Sequence, residues 1–126
     1  MNEQQFKDRT KQLALRVIRM VDALSPGRVT DIIGKQIIRS STSVAANYCA
    51  ACISRSDAAM IAKLDIVLEE ADETLFWEEM LVESGLVPAA RMTDLMRETR
   101  EITAMTVTSL KTLRARARRQ PKRIRA

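Results

Sequence analysis

Hydrophobic residues recur every three or four positions along almost the whole chain, in four segments separated by short breaks. That spacing predicts four amphipathic helices. The first helix is expected at about residues 3–24 and the second at about residues 28–53, because Ser25-Pro26-Gly27 favours a turn between them. The predicted buried positions of these two helices are Phe6, Leu13, Val17, Met20, Leu24, Ile33, Ile37, Ser40, Val44, Tyr48 and Ala51.

The third helix is expected to begin after Ser56, a good N-cap, and to end at Gly85. Pro88 suits the first position of the fourth helix, which is expected to extend to about Arg118. Apolar residues cover most of the circumference of the third helix, which predicts a subunit interface. The predicted buried stripe of the third helix is Ile61, Leu64, Leu68, Ala71 and Leu75, and that of the fourth is Met92, Leu95, Met96, Thr99, Ile102, Met105, Leu110 and Leu113.

Four helices joined by short loops predict an all-α fold, an antiparallel up-down-up-down four-helix bundle. Residues 1–118 are assigned to the bundle and residues 119–126 to a flexible, basic C-terminal tail. Gly34 lies inside the second helix, where glycine is less favourable than alanine by about 1 kcal/mol. A packing reason for this glycine is therefore expected.

Composition limits the class of protein further. Three glycines, three prolines and 3% aromatic residues agree with a single all-helical domain of 126 residues. No apolar run reaches the roughly 18–20 residues that span a bilayer, and the first residues do not resemble a signal peptide. We therefore expect a soluble, cytoplasmic protein without a membrane segment.

Histidine is absent, which excludes Ser-His-Asp and Cys-His catalysis and every histidine-ligated metal site. Cys49 and Cys52 match C-x-x-C, but no βαβ unit is predicted and a structural zinc ion needs four ligands. Buried, unreactive cysteines are expected instead. Since no nucleophile–base pair or metal constellation is recognisable, we expect no enzymatic activity, no cofactor and no metal site.

Charge is divided unevenly along the chain. All 16 acidic residues lie at or before Glu101, whereas eight of the 21 basic residues lie at or after Lys111. Residues 1–110 therefore carry 13 bases and 16 acids, a net charge of −3, and residues 111–126 carry +8. The basic arm consists of Lys111, Arg114, Arg116, Arg118, Arg119, Lys122, Arg123 and Arg125.

A basic arm on a mildly acidic body indicates a polyanionic partner, and nucleic acid, either RNA or DNA, is the usual one. Arginine forks match phosphate oxygens, and each neutralised phosphate releases a counterion. No aromatic residue is interleaved in the arm, so low sequence specificity is expected. The alternatives are a solubilising tail and pairing of the arm with the acidic third helix of another subunit.

The third helix is rich in acidic residues. Carboxylates at i, i+3 and i+4 could hold a hard cation, but a solvated or ion-paired surface is the expected role. Glu70 and Glu73 are expected to be paired across the second helix with Arg39 or Asn47. The acidic residues assigned to this helix are Asp65, Glu69, Glu70, Asp72, Glu73, Glu78, Glu79 and Glu83.

Short motifs of the second and third helices resemble those of one known family. These motifs are Gln36-Ile37-Ile38-Arg39-Ser40, Ser43-Val44-Ala45-Ala46-Asn47, Arg55-Ser56, Lys63-Leu64 and Ile66-Val67-Leu68-Glu69-Glu70-Ala71-Asp72-Glu73-Thr74-Leu75-Phe76-Trp77. They are similar to the signature of the four-helix bundle protein family, also called the 23S rRNA intervening-sequence protein family. The similarity is strong over about residues 33–77.

The resemblance implies an antiparallel bundle that assembles into a ring, typically a homopentamer, in a small bacterial cytoplasmic protein. A related branch is the accessory variability protein of diversity-generating retroelements, a basic pentameric barrel that binds nucleic acid and its reverse transcriptase. The positions that match the recurring residues of the family are Arg39, Asn47, Arg55, Glu70 and Glu73.

These observations predict a non-enzymatic oligomeric scaffold, with a homopentamer favoured, that binds RNA or DNA electrostatically through the basic arm. The alternative is a protein-interaction scaffold, for example an accessory subunit of a reverse transcriptase in a diversity-generating retroelement. A nucleic-acid binder should lose affinity steeply with salt and with loss of the arm, whereas a protein scaffold should keep its partner.

Overall fold

A computed structural model describes residues 1–119 and shows four α-helices within them. Helix α1 spans Glu3–Asp22, α2 spans Arg28–Cys52, α3 spans Asp57–Glu83 and α4 spans Ala89–Arg119. Each helix packs on the next one in the chain, and α1 and α4 also contact each other, though less extensively. Because loops of four or five residues make consecutive helices antiparallel, the predicted all-α, up-down four-helix bundle is confirmed.

Local sequence signals determine where the helices begin and end. Asn2 caps α1: its side-chain oxygen accepts a hydrogen bond from the Gln5 backbone N–H at 2.8 Å, and Gln5 Oε1 accepts one from the Asn2 N–H at 3.0 Å. Ser56 caps α3 as predicted and accepts a hydrogen bond from the Ala59 N–H at 3.1 Å. Gly85 follows α3 with φ +80°, a left-handed conformation that glycine adopts without strain.

The bounds of α4 differ slightly from the prediction. The helix begins at Ala89, one residue after Pro88, and includes Arg119, which the sequence had assigned to the tail. The predicted arm bases Lys122, Arg123 and Arg125 lie outside the described residues. No helix within residues 1–119 combines the length and apolar character that a membrane crossing requires.

An apolar core runs along the bundle. All six predicted positions of α2 are buried, as are most of the predicted positions of α1 and α4. Gly34 is also buried, and a Cβ atom at this position would lie 2.8 Å from Val21 Cγ1 of α1. The predicted packing reason for this glycine is therefore confirmed: it lets α2 approach α1 closely. Among the fully buried apolar side chains are Leu13, Ile37, Leu64, Leu81, Met92, Ile102 and Leu110.

The buried face of α3 differs from the predicted stripe. Ile61, Leu68 and Leu75 are only half-buried, and the face turns further toward residues that include Thr74 and Glu78. These two polar residues hid the true face from a pattern based on hydrophobicity alone. The buried Thr74 hydroxyl has two hydrogen-bond partners, Ser40 Oγ of α2 at 2.9 Å and the Glu70 carbonyl oxygen of its own helix at 2.8 Å. The buried residues of α3 are Leu64, Val67, Ala71, Thr74, Glu78 and Leu81.

Candidate nucleic-acid interface

The basic arm begins inside α4, at the end of the bundle where α3 starts. Leu110 and Leu113 are buried in the core, so α4 is anchored up to this point. The helical phase set by these leucines turns the neighbouring bases away from the core. The described bases of the arm, all of them exposed, are Lys111, Arg114, Arg116, Arg118 and Arg119.

Two arginines of the arm are paired with aspartates of α3 in the same chain. Arg116 donates from Nε to Asp57 Oδ2 at 2.9 Å and from Nη2 to Asp57 Oδ1 at 2.7 Å. Arg114 Nη2 donates to both carboxylate oxygens of Asp65, at 2.8 and 2.9 Å. The Arg116 hydrogen bond lowers the pKa of Asp57. The sequence had anticipated acidic partners for the arm only on another subunit, so this intramolecular pairing is a new finding.

The other three described bases of the arm are differently placed. Lys111, Arg118 and Arg119 are exposed, and they form no ion pair with any other residue of the described range 1–119. Lys111 and Arg119 line a shallow surface depression together with Thr112, Ala115 and Arg116. Arg119 lies eight positions after Lys111, about 12 Å along the helix. This outer face of α4 presents concentrated, solvent-accessible positive charge.

A second charged cluster lies between α2 and α3, as the sequence predicted. Arg39 Nη1 lies 3.2 Å from Glu70 Oε2, and Arg39 Nη2 donates to Glu73 Oε2. The Trp77 indole N–H also donates to Glu73, at 3.4 Å. Burial raises the pKa of Glu70, whereas the hydrogen bond from Arg39 lowers the pKa of Glu73. The cluster ties α2 to α3.

The two other family-motif positions do not join this cluster. Asn47 donates instead to the backbone carbonyl and the hydroxyl of Ser43 within α2, both at 2.9 Å. Arg55 lies exposed in the loop before α3, two residues ahead of Asp57. The five motif positions are therefore spread along the α2–α3 side of the bundle and do not converge on one site.

The cysteines lie near the end of α2. Cys49 and Cys52 are both half-buried and are not joined by a disulfide. Burial, together with the nearby Glu3 carboxylate, raises the pKa of Cys52 to about 11, so its thiolate is scarce at neutral pH. Within residues 1–119, no three His, Cys, Asp or Glu side chains come together as a metal site.

Glu78 is the polar residue that sequence reasoning misplaced. It was assigned to the acidic surface of the third helix, but its side chain is fully buried between α3 and α4. Its spacing from Leu64, Ala71 and Thr74 matches the buried stripe, and that spacing was the available signal. Burial raises the pKa of Glu78 to about 8, partly opposed by a hydrogen bond from Thr99.

The contacts of Glu78 agree with a protonated carboxyl group. Thr99 Oγ1 lies 3.0 Å from Glu78 Oε2 and also 3.0 Å from the Leu95 carbonyl oxygen. A hydroxyl has one proton, so it can donate to only one of these two oxygens. Thr99 therefore offers Glu78 at most a donor shared with the Leu95 carbonyl, which is too little to stabilise a buried carboxylate. The second carboxyl oxygen, Oε1, has no hydrogen-bond partner among the described residues.

Comparisons with known proteins agree with this architecture. A solved protein of unknown function, from the S23 ribosomal protein family of Bacteroides thetaiotaomicron, has a TM-score of 0.82 and 30% identity over 88% of this chain and 99% of that chain. No match was found among curated proteins. The 23S rRNA-intervening sequence protein family matches residues 2–108, which leaves the basic arm beyond the matched range. Because this match covers most of the chain, the protein belongs to the 23S rRNA-intervening sequence protein family.

Proposed function

We propose that the protein is a non-enzymatic, oligomeric scaffold that binds nucleic acid electrostatically through the C-terminal end of α4. The observation that carries this proposal is the exposed group of Lys111, Arg118 and Arg119, which have no ion-pair partner within residues 1–119. In the sequence, the remaining arm bases follow directly and extend the same charge: Lys122, Arg123 and Arg125.

Phosphate groups are the ligand that suits this surface. Guanidinium forks bind phosphate oxygens in pairs, and neutralised phosphates release counterions, which makes binding strong at low salt. The arm contains no aromatic residue for base stacking, so contacts to the backbone of the nucleic acid should dominate. The name of the family refers to an intervening sequence of 23S rRNA, which makes RNA the first ligand to test.

Self-association would multiply the charge of one arm. A shallow, almost wholly apolar groove between α1 and α2 contains Leu15 and Ile18, which are 40% and 38% exposed. A second copy of the chain is the occupant we propose for this groove, since the family resemblance implies a ring. The subunit interface expected on α3 stays a prediction from its apolar circumference. Five arms of +8 would place about forty positive charges on one pentamer, enough for multivalent binding even if each arm binds weakly.

Binding can be tested by fluorescence anisotropy of labelled RNA and DNA over a salt series. Neutralising Lys111→Gln, Arg118→Gln and Arg119→Gln together should weaken binding and flatten its dependence on salt by about 0.9 in log–log slope for each lost duplex phosphate contact. Matched substitutions at the opposite end of the bundle, Arg28→Gln, Lys35→Gln and Arg91→Gln, should have much smaller effects; these three bases are also exposed and form no ion pair within residues 1–119. Equal losses in both triple variants would contradict the proposal.

Full-length variants are preferable to a truncation after residue 110. Such a truncation would remove Leu113 from the core together with both Arg–Asp pairs that join α4 to α3. Loss of binding could then follow from loss of structure. The glutamine variants keep the chain length and change only the exposed charge.

Oligomeric state is tested separately, by sedimentation velocity. Leu15→Asn combined with Ile18→Asn should dissociate the assembly, because both substitutions place amides in the apolar groove. Val29→Asn combined with Ile32→Asn is the matched control, since these side chains are 55% and 57% exposed and lie outside the groove. A wild-type protein that sediments as a monomer at micromolar concentration would refute the oligomeric part of the proposal.

An outer face of α3 favours a second candidate function, the docking of a basic protein partner. Phe76 is 49% exposed there. The acidic residues that share this face at helical spacing are Glu69, Asp72, Glu79 and Glu83. A partner bound at this face should be retained when the arm is neutralised and lost when Phe76→Ser and Asp72→Lys are combined, which distinguishes it from nucleic acid.

A further inference from the structure

Two aspartates of α3 occupy two arginines of the basic arm, and this pairing bears on the strength of nucleic-acid binding. Asp57 takes the Nε and Nη2 donors of Arg116 in a fork, at 2.9 and 2.7 Å. Asp65 holds Arg114 through both of its oxygens. Each aspartate therefore sits where a phosphate would sit on the same guanidinium group.

The aspartates also cancel charge. An arginine that is already paired with a carboxylate adds little net positive charge to the surface. If a phosphate displaces the carboxylate, the aspartate is left to attract a cation from solution, which offsets the counterion released from the phosphate. Arg114 and Arg116 should therefore contribute little to salt-dependent binding in the wild-type protein.

Both pairs are accessible from solvent. The side chains of Arg114 and Asp65 are 46% and 44% exposed, and those of Arg116 and Asp57 are 58% and 25% exposed. Solvent-exposed ion pairs contribute little to stability, so each can be broken without unfolding the bundle. The buried Leu113 keeps this part of α4 in place when a pair is removed.

We infer that Asp57 and Asp65 act as internal competitors of phosphate and limit the affinity of the basic arm for nucleic acid. This inference rests on the proposed function and adds its regulation. Of the five described arm bases, three are available to a phosphate backbone and two are paired with aspartates of α3. Any change that neutralises or displaces the two aspartates makes Arg114 and Arg116 available to bind phosphate.

The decisive comparison uses single substitutions in the full-length chain. Asp57→Asn and Asp65→Asn should each tighten binding to a labelled RNA or DNA duplex and steepen the log–log salt slope by about 0.9 for a duplex DNA contact. The gain in affinity over wild type should then be about threefold larger at about 50 mM salt than at about 200 mM. Asp94→Asn is the matched control, because Asp94 pairs with Arg97 at the other end of α4 at 2.7 Å.

A charge-neutral double variant separates local competition from a change in overall charge. Asp57→Asn combined with Arg116→Gln restores the net charge of the wild type and removes the arginine that Asp57→Asn releases. Its affinity and salt slope should return to wild-type values. Retention of the Asp57→Asn gain in the double variant would overturn the inference, since Arg116 would then not be the group released.

The outcomes distinguish this inference from the proposed function. If neutralising Lys111, Arg118 and Arg119 weakens binding while Asp57→Asn and Asp94→Asn behave alike, the inference is wrong and the proposed function stands. If wild type does not bind but the variant lacking both aspartates does, the inference stands and wild-type binding is refuted. If neither binds, both are refuted. Circular dichroism of every variant checks that the bundle is folded.

Discussion

Replacement of Glu78 by glutamine should change how the stability of the bundle depends on pH. Glutamine keeps the shape of the side chain but cannot ionise. The carboxyl group of Glu78 is fully buried, and burial raises its pKa from 4.5 to about 8. Between these two values the folded chain keeps a proton that the unfolded chain releases. The free energy of unfolding of the wild type should therefore fall as the pH rises through this interval.

The magnitude follows from the size of the pKa shift. Each pH unit between the two pKa values lowers the free energy of unfolding by about 1.4 kcal/mol. From about pH 5 to about pH 8 the wild type should therefore lose about 4 kcal/mol that Glu78→Gln does not lose. Below about pH 4.5 the carboxyl group is protonated in both states, so no slope from this group remains there.

Urea unfolding followed by circular dichroism at several pH values measures this difference. Glu83→Gln is the matched control, because it changes an exposed carboxylate near the end of the same helix. We expect the Glu78→Gln variant to gain stability relative to wild type as the pH rises, and the Glu83→Gln variant to follow the wild type. Parallel curves for wild type and Glu78→Gln would refute the assignment of a protonated, buried Glu78.

Three further predictions concern the packing of the helices, each measured by urea unfolding. Gly34→Ala should destabilise the protein by about 1–2 kcal/mol despite better helix propensity, because its Cβ would clash with Val21. Val21→Ala should restore part of this loss in the double variant, and additive effects of the two substitutions would contradict the clash. Ser56→Ala should cost about 1 kcal/mol through the lost N-cap, and an unchanged midpoint would contradict the role of that cap. Arg9→Gln should lower the free energy of unfolding by about 1 kcal/mol, because Arg9 donates hydrogen bonds to Glu98 of α4 at 2.7 and 2.8 Å. If this loss of stability is not smaller at high salt, the ionic role of Arg9 is contradicted.

The helices themselves could be predicted from the sequence because their signals are local. Ser25-Pro26-Gly27 and Gly85 break the chain where the structure has loops, and Ser56 caps the helix that follows it. Most apolar positions of α1, α2 and α4 fall on one face, so their burial followed from spacing. On α3 the same method erred, since Thr74 and Glu78 are buried although they are polar. The spacing of Glu78 carried the signal, as it did for the buried Ser40 and Thr99, but a carboxylate is rarely buried without a partner, and the partner of Glu78 lies on another helix.

The ion pairs between α3 and α4 could not be predicted without knowing how the two helices lie beside each other. The bond between Arg116 and Asp57 joins residues 59 apart in sequence. A signal for it existed: Asp57 lies 26 residues before the end of α3 and Arg116 lies 27 residues after the start of α4, so an antiparallel hairpin places them side by side. The Arg39 pair was anticipated because acidic residues of α3 were expected to meet bases of the neighbouring α2, and the family resemblance marked the same residues.

The two buried polar contacts of α3 face opposite neighbours. Thr74 meets Ser40 of α2, and Glu78 meets Thr99 of α4. A slide of α3 by one helical turn, about 5.4 Å, would separate both pairs at once. The three hydroxyls would keep their bonds to carbonyl oxygens of their own helices, but Glu78 would lose its one hydrogen-bond partner among the described residues. A purely apolar interior would resist such a slide less, since one leucine can take the place of another. The buried contacts of Thr74 and Glu78 therefore favour one alignment of α3 between its neighbours. The same alignment places Asp57 and Asp65 of α3 against the arginines of α4. The alignment that these buried contacts favour is thus the one in which Arg114 and Arg116 are paired with aspartates.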